Sequence, residues 1–190
     1  VVARGFPSQE LVALANKHKP DLVIVGSHGH GQLERVMLGS IADAVKNHVR
    51  CHVLIAKTPV RPGDVLTAVD GSEKSRVAAR LALRIGKTWD ATTHILHVFG
   101  LGFLRYAEIG EEEFRAVIEK HRLPKASAKV HYALDFGNPA KQIVKYAGQR
   151  PISLIVLGSR GMGAFGNAIL GGVSNRVSHE SPVSCLFVKT

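Results

Sequence analysis

Short apolar runs alternate along this chain with stretches whose apolar residues recur at helical spacing, a pattern of strands and helices in turn. Val65-Leu66-Thr67-Ala68-Val69 is rich in strand formers and ends at Asp70-Gly71-Ser72, a turn and helix-start signal. Residues 73–87 carry Val77, Leu81 and Ile85 at helical spacing, with Ala78 and Ala82 beside them. Thr93 to Phe99 predicts a second strand, residues 105–122 an amphipathic helix, and Lys129 to Leu134 a third strand near a sheet edge. Pro139 suits a helix start, where its missing N–H costs nothing, and leads into Ile143, Val144 and Ala147. Ile152 to Leu157 is a continuous apolar run, as a strand covered on both faces requires. A short helix at 173–180 and a strand at Val183 to Val188 complete the series. Alternation of this kind predicts a parallel, doubly wound α/β sheet.

The chain also repeats itself. Gly26-Ser27-His28-Gly29-His30-Gly31 aligns with Gly158-Ser159-Arg160-Gly161-Met162-Gly163 at an offset of 132 residues. The same offset pairs Gly5 with Gly137, Pro7 with Pro139, Leu38-Gly39 with Leu170-Gly171, Val45 with Val177, Leu54 with Leu186 and Lys57 with Lys189, without a gap. This is a duplicated structural unit whose first copy starts in mid-unit. Residues 1–57 read as the back half of one domain, 58–63 as a linker and 64–190 as a complete domain. Pro59, Pro62 and Gly63 favour an extended linker. Leu22-Val23-Ile24-Val25 reads as a strand buried on both faces, with its natural neighbour missing from residues 1–57.

Composition adds few constraints. The hydrophobic share of 45% argues for a globular fold, and the longest apolar runs are strand-sized, too short for a membrane span. Two cysteines, Cys51 and Cys185, lie in apolar runs and read as small buried hydrophobes of a reducing, cytoplasmic compartment. The formal charge of +10 favours anionic partners, but the basic residues are scattered, which does not favour nucleic acid as the main one.

The chemistry points to the glycines. Gly158 to Gly171 follows an apolar strand and precedes a helix. Glycines there let backbone N–H groups face a concavity, and the helix N-terminus adds positive partial charge, a combination suited to phosphate. A turn without function is the alternative for any one loop, but the same glycines recur in the same context twice. Asp70 could hold a ligand or cap its own turn. His28 and His30 flank Gly29 without metal-ligand spacing and read as part of a solvated loop, and His94, His97 and His179 read as equally plain. There is no Gly-x-Ser-x-Gly elbow and no Walker Gly-Lys-Ser/Thr run, so no catalytic constellation and no metal cluster is assigned.

The spacing Gly-x2-Gly-x9-Gly-(Ser or Thr) resembles the ATP-binding loop of the universal stress protein family. Gly26, Gly29, Gly39 and Ser40 match it in full, whereas Gly158, Gly161 and Gly171 are followed by Gly172 in place of the hydroxyl residue. Val69 to Ser72, Leu96 to Val98 and Leu170 to Asn175 also look like that family. The resemblance implies an adenine nucleotide alpha hydrolase-like domain with five parallel strands in the order 3-2-1-4-5, here in a tandem form whose first domain lacks its front. It implies ATP, or AMP or ADP, with Mg²⁺ as a companion ion, between the first and fourth strands. Asp70 would then lie by the ribose or phosphates and Val98 would offer backbone to the adenine. Gly158, Gly161, Gly171 and Gly172 would wrap the phosphates, with Val173 and Ser174 opening the helix behind them. It also implies a homo-oligomer joined through last strands, so that Val53 to Ala56 would pair antiparallel with Leu186 to Val188. The leading function is a nucleotide-binding regulatory module in stress response. A slow ATP hydrolase, a dimerising module with an empty cleft and a nucleic-acid binder stand as alternatives.

Overall fold

The apolar runs become the strands of one sheet. The computed structural model describes residues 4–28, 38–100, 119, 129–159 and 171–189. The strands are β1 (Leu22–Gly26), β2 (His52–Ala56), β3 (Asp64–Val69), β4 (Thr93–Phe99), β5 (Val130–Phe136), β6 (Ile152–Gly158) and β7 (Ser184–Val188). The described helices are α1 (Pro7–His18), α2 (Ser40–His48), α3 (Glu73–Trp89), α4 (Pro139–Gly148) and α5 (Gly172–Glu180). The helix expected at 105–122 lies outside the described residues, as do Gly29 and Gly161.

The sheet has seven strands in the order β1-β2-β7-β6-β3-β4-β5. Its last five strands form the expected parallel 3-2-1-4-5 arrangement, with β5 at the edge. Residues 1–57 do not stand apart: β1 and β2 pair in parallel, and β2 joins β7 antiparallel, which makes the sheet continuous and mixed. The register is Val53 with Phe187, Leu54 with Leu186 and Ile55 with Cys185. Leu54 and Leu186 are equivalent in the duplication, so the two units meet about a local two-fold axis through that pair.

Alternation along each strand sorts the core. Val53, Ile55, Leu66, Leu96, Ile155, Leu157, Cys185 and Phe187 share one cluster with residues of α1, α2, α4 and α5. Val65, Leu154, Val156, Leu186 and Val188 face Ala78 and Ala82 of α3 on the other side. Here the helical pattern misleads in detail. The buried stripe of α3 is Ser75, Ala78, Ala79, Ala82 and Gly86, while Val77, Leu81 and Ile85 only flank it. Small residues let the helix approach closely: a Cβ at Gly86 would meet Thr93 Oγ1. Ser72 caps the helix by accepting a hydrogen bond from Ser75 N (3.1 Å).

The edge at β1 carries exposed apolar side chains, as a strand written for two covered faces does when its neighbour is missing. Leu22 and Ile24 of β1 are 40% and 61% exposed, because the sheet ends there among the described residues. Their apolar character fits a strand with a further neighbour, as Leu154 of β6, equivalent to Leu22, has in β3.

Candidate functional site

Each glycine loop is closed at its neck by two backbone bonds. Ser159 N donates to Val188 O (2.9 Å), and Gly171 N donates to Ser159 O (2.7 Å), which holds the start of α5 against the end of β6. The first unit repeats this: Ser27 N donates to Ala56 O (2.9 Å) and Gly39 N to Ser27 O (2.8 Å). Gly39 and Gly171 are extended N-cap residues without a side-chain cap bond. The first N–H groups of α2 and α5 therefore have no partner within their helices and carry the positive end of the helix dipole.

The two loops do not form one site. Because β2 runs antiparallel to β7, Gly26, Gly39 and Ser40 lie at the opposite end of the sheet from Gly158, Gly171 and Gly172. Among the described residues, only the second loop has a neighbouring strand with an acidic residue at its end. Gly158 closes β6 beside β3, whose chain continues into Asp70, and Val98 is near the end of β4 on the far side of β3. Asp70, Val98, Gly158, Gly171, Gly172, Val173 and Ser174 thus gather at the carboxyl ends of β3, β4 and β6. That end of a doubly wound sheet is where strand order reverses and ligands bind. A further groove lined by Ala15, Lys19, Pro20, Arg50 and Cys51 lies at the starts of β1 and β2.

The glycines have different jobs. A Cβ on Gly158 would lie 2.9 Å from Lys74 C and O and 3.1 Å from Ser75 N, so Gly158 lets β6 touch the first turn of α3. A Cβ on Gly39 would come within 3.1 Å of Ser27 O. A Cβ on Gly172 would meet nothing within 4 Å among the described residues. The buried Ser174 donates its hydroxyl to Gly158 O (2.7 Å), which ties α5 to β6. Asp70 Oδ1 accepts from Ser72 N (3.0 Å), so one carboxylate oxygen shapes the turn.

Other polar residues were not legible in the sequence. His97 donates from Nδ1 to Val69 O (2.7 Å) and meets Phe99 edge-on at 4.6 Å, while Phe99 stacks on Phe136 at 5.5 Å. These rings stand at the ends of β4 and β5, on the site's flank; the run Phe99…Phe136 carries no spacing that would announce them. At the other end of the same strands His94 lies between the Tyr146 hydroxyl (2.9 Å) and Asp64 Oδ2 (3.2 Å). Burial pushes the Tyr146 hydroxyl up and the His131 ring, beside His94, down from their ordinary pKa values. His28 is half-buried rather than solvated: Nδ1 lies 2.9 Å from Ser27 Oγ, and Nε2 has no partner among the described residues. Cys185 is buried, with its thiol pushed up to about 11, whereas Cys51 is only partly buried; both are free. Among the described residues no group of acidic, His and Cys side chains is placed to hold a metal ion, and no helix is long and apolar enough to cross a membrane.

This architecture is shared. A solved universal stress protein from Archaeoglobus fulgidus superposes with a TM-score of 0.70 at 26% identity, over 99% of this chain and 70% of that one. A universal stress protein solved in complex with cAMP matches 67% of this chain and 96% of its own, with a TM-score of 0.51 at 21% identity. Among curated relatives, a universal stress protein of Mycolicibacterium smegmatis is 29% identical over 185 residues, 88% of this chain; the chain spans 61% of that relative's length. The model of the universal stress protein family matches twice, at residues 1–57 and 63–189, once on each side of the linker and once for each glycine loop. With the 3-2-1-4-5 strand order and the doubled loop, these matches show that the chain belongs to the universal stress protein family.

Proposed function

We propose that the second unit is an adenine-nucleotide-binding regulatory module of the cytoplasmic stress response. One observation carries this reading: the Gly171–Ser159 bond holds the uncapped start of α5 at the end of β6, beside β3 and Asp70, with nothing within 4 Å of a Cβ at Gly172 among the described residues. Backbone N–H groups and the helix dipole then meet a phosphate without a dedicated cation. The Gly158-to-Gly172 segment wraps the phosphates, Asp70 reaches toward the ribose or a Mg²⁺ ion, and Val98 offers backbone to the base. The cAMP bound by one relative supplies the same two recognition elements, a purine and an anionic phosphate. Gly26, Gly29, Gly39 and Ser40 form a second loop of this kind, which needs a strand beside β1 to complete it. A strand from a second copy of the chain, or from residues outside the sequence given, would supply one at the open edge of β1.

The test is direct. Ligand at one hundred times its dissociation constant adds about 2.7 kcal/mol to stability. Thermal shift of ligand-free protein with ATP, ADP, AMP and cAMP, with and without Mg²⁺, should raise the melting temperature for at least one of them. Mass spectrometry of small molecules released on denaturation identifies the form carried. No shift at millimolar concentration of any of the four overturns the proposal.

A further inference from the structure

The seam between the two units is built from equivalent positions meeting across the local axis, and most of its contacts are symmetric. Lys57 Nζ donates to His179 O (2.9 Å) and Ser181 O (2.8 Å) at the end of α5. Its counterpart Lys189 donates from Nζ to Lys46 O (2.7 Å) and to Val49 O at the end of α2. Contacts of this kind would form equally in a pairing of two first units or of two second units. They hold the seam together without choosing between partners.

Two pairs of equivalent positions on the facing helices break the symmetry with charge, while a third, His52 and Ser184, differs only in the side-chain acceptor that meets Lys189 N or Lys57 N. Where α2 and α5 lie side by side, the first unit has Asp43 and Lys46, and the second has Asn175 and Ser178 at the equivalent sites. Lys46 is fully buried, an uncommon place for a lysine. Its ammonium donates to Asp43 Oδ1 (2.7 Å), Asn175 Oδ1 (2.7 Å) and Ser178 Oγ (2.8 Å), so all three of its hydrogens are satisfied, two of them by the other unit. Asp43 also accepts from Asn47 Nδ2 (3.1 Å), and His179 Nε2 stands 3.4 Å from it.

We infer that Lys46 is a selectivity element: it fits the first unit's face to the unlike, second unit and rejects a second copy of the first. Positions 46 and 178 touch across the axis. Two first units paired the same way would bring two ammonium groups together where Lys46 now meets Ser178, each losing that hydroxyl acceptor, with the two Asp43 carboxylates partly exposed at the rim of the contact. A buried like-charge contact is strongly unfavourable, whereas the observed contact leaves neither charge nor donor unpaired. Buried polar groups with this effect are best attested where they fix register and partner choice. Here the effect directs the half unit to β7 of the complete unit.

The test exchanges the pair within the full chain. Asn175→Asp/Ser178→Lys gives both units the first unit's residues and puts two ammonium groups face to face. Asp43→Asn/Lys46→Ser gives both the second unit's neutral pair. The quadruple variant combines the two and moves the lysine to the other side. Unfolding midpoints and formation of a disulfide between positions 54 and 186, introduced as Leu54→Cys/Leu186→Cys, report seam pairing. The double-lysine variant should melt lowest and form that disulfide about tenfold more slowly or worse. The neutral variant should lose less, and the quadruple variant should recover toward the parent on both measures. If the double-lysine variant does not fold, recovery of folding in the quadruple variant supports the inference equally. A quadruple variant as impaired as the double-lysine one, or a double-lysine variant no worse than the neutral one, overturns it.

Discussion

Two glycines of the same loop should respond oppositely to the same small change. Gly158→Ala adds one methyl group that the structure places 2.9 Å from the Lys74 carbonyl carbon and oxygen and 3.1 Å from Ser75 N. These neighbours are backbone atoms in the first turn of α3, which Ser72 caps. They cannot rotate away as a side chain would, so β6 and α3 must separate. Overpacking of this kind costs about 1–3 kcal/mol, from which the roughly 0.5–1 kcal/mol of backbone entropy favouring Ala over Gly is subtracted. The net loss is up to about 2.5 kcal/mol, or up to roughly 10 °C in melting temperature for a protein of this size. Gly172→Ala at the first position of α5 meets nothing within 4 Å and should gain up to about 0.5–1 kcal/mol instead. Urea and thermal melts of the two variants and the parent give the comparison. If both substitutions shift stability in the same direction, or Gly158→Ala melts at or above the parent, the close approach of β6 to α3 is not what this glycine serves.

Further outcomes follow from the same geometry. Gly172→Ser has room for its hydroxyl and should tighten ATP binding by at most about 1.5–3 kcal/mol, measured by titration calorimetry; unchanged or weaker affinity means the hydroxyl does not reach the phosphate. Burial lowers the Lys189 ammonium to about 8, below its unfolded value of 10.5, so the unfolded chain binds more protons between those values and stability rises with pH there. Between pH 8 and 9, before the raised Cys185 thiol begins to act in the opposite sense, urea melts should show a gain of at most about 1.4 kcal/mol per unit from this group, absent in Lys189→Met. Residues 61–190 should fold alone and 1–57 should not, because Val45, Val53 and Ile55 belong to one core cluster with Phe187; circular dichroism of a cooperatively folded 1–57 would refute this.

Much of the fold was legible because strands covered on both faces are written as uninterrupted apolar runs. Ile152–Gly158 is the plainest, and its limits were read to within a residue. The stripe of α3 was not legible, because spacing rules weigh large apolar residues and the structure instead buries Ala78, Ala79, Ala82 and Gly86 to bring the helix close to β4. The seam shows the same limit more sharply. Lys46 sits in a helix with Asp43 and Asn47 around it, and every local rule sends such a residue to solvent. Its burial depends on Asn175 and Ser178, more than a hundred residues away, and no window on the sequence contains that information.

The duplication changes how the remaining differences should be weighed. Where the units agree, as at Gly26 and Gly158, Gly39 and Gly171, or Lys57 and Lys189, the shared residue serves the shared fold: a loop neck, an extended cap, a lysine closing the neighbouring helix. Where equivalent positions differ, folding alone does not explain the choice. Ser40 supplies a hydroxyl in the loop whose strand has β2 alone beside it among the described residues, while Gly172 lacks one in the loop that has β3 and Asp70 at hand. Lys46 faces Ser178 across an axis that would otherwise be indifferent to partner. The nucleotide reading therefore rests on backbone N–H groups at the start of α5 rather than on the side chains at 172 and 174, since Ser174 is committed to Gly158 and Gly172 has nothing to offer beyond its peptide. A site of that kind binds through shape and dipole, and it tolerates the loss of the loop hydroxyl better than it would tolerate separation of β6 from α3.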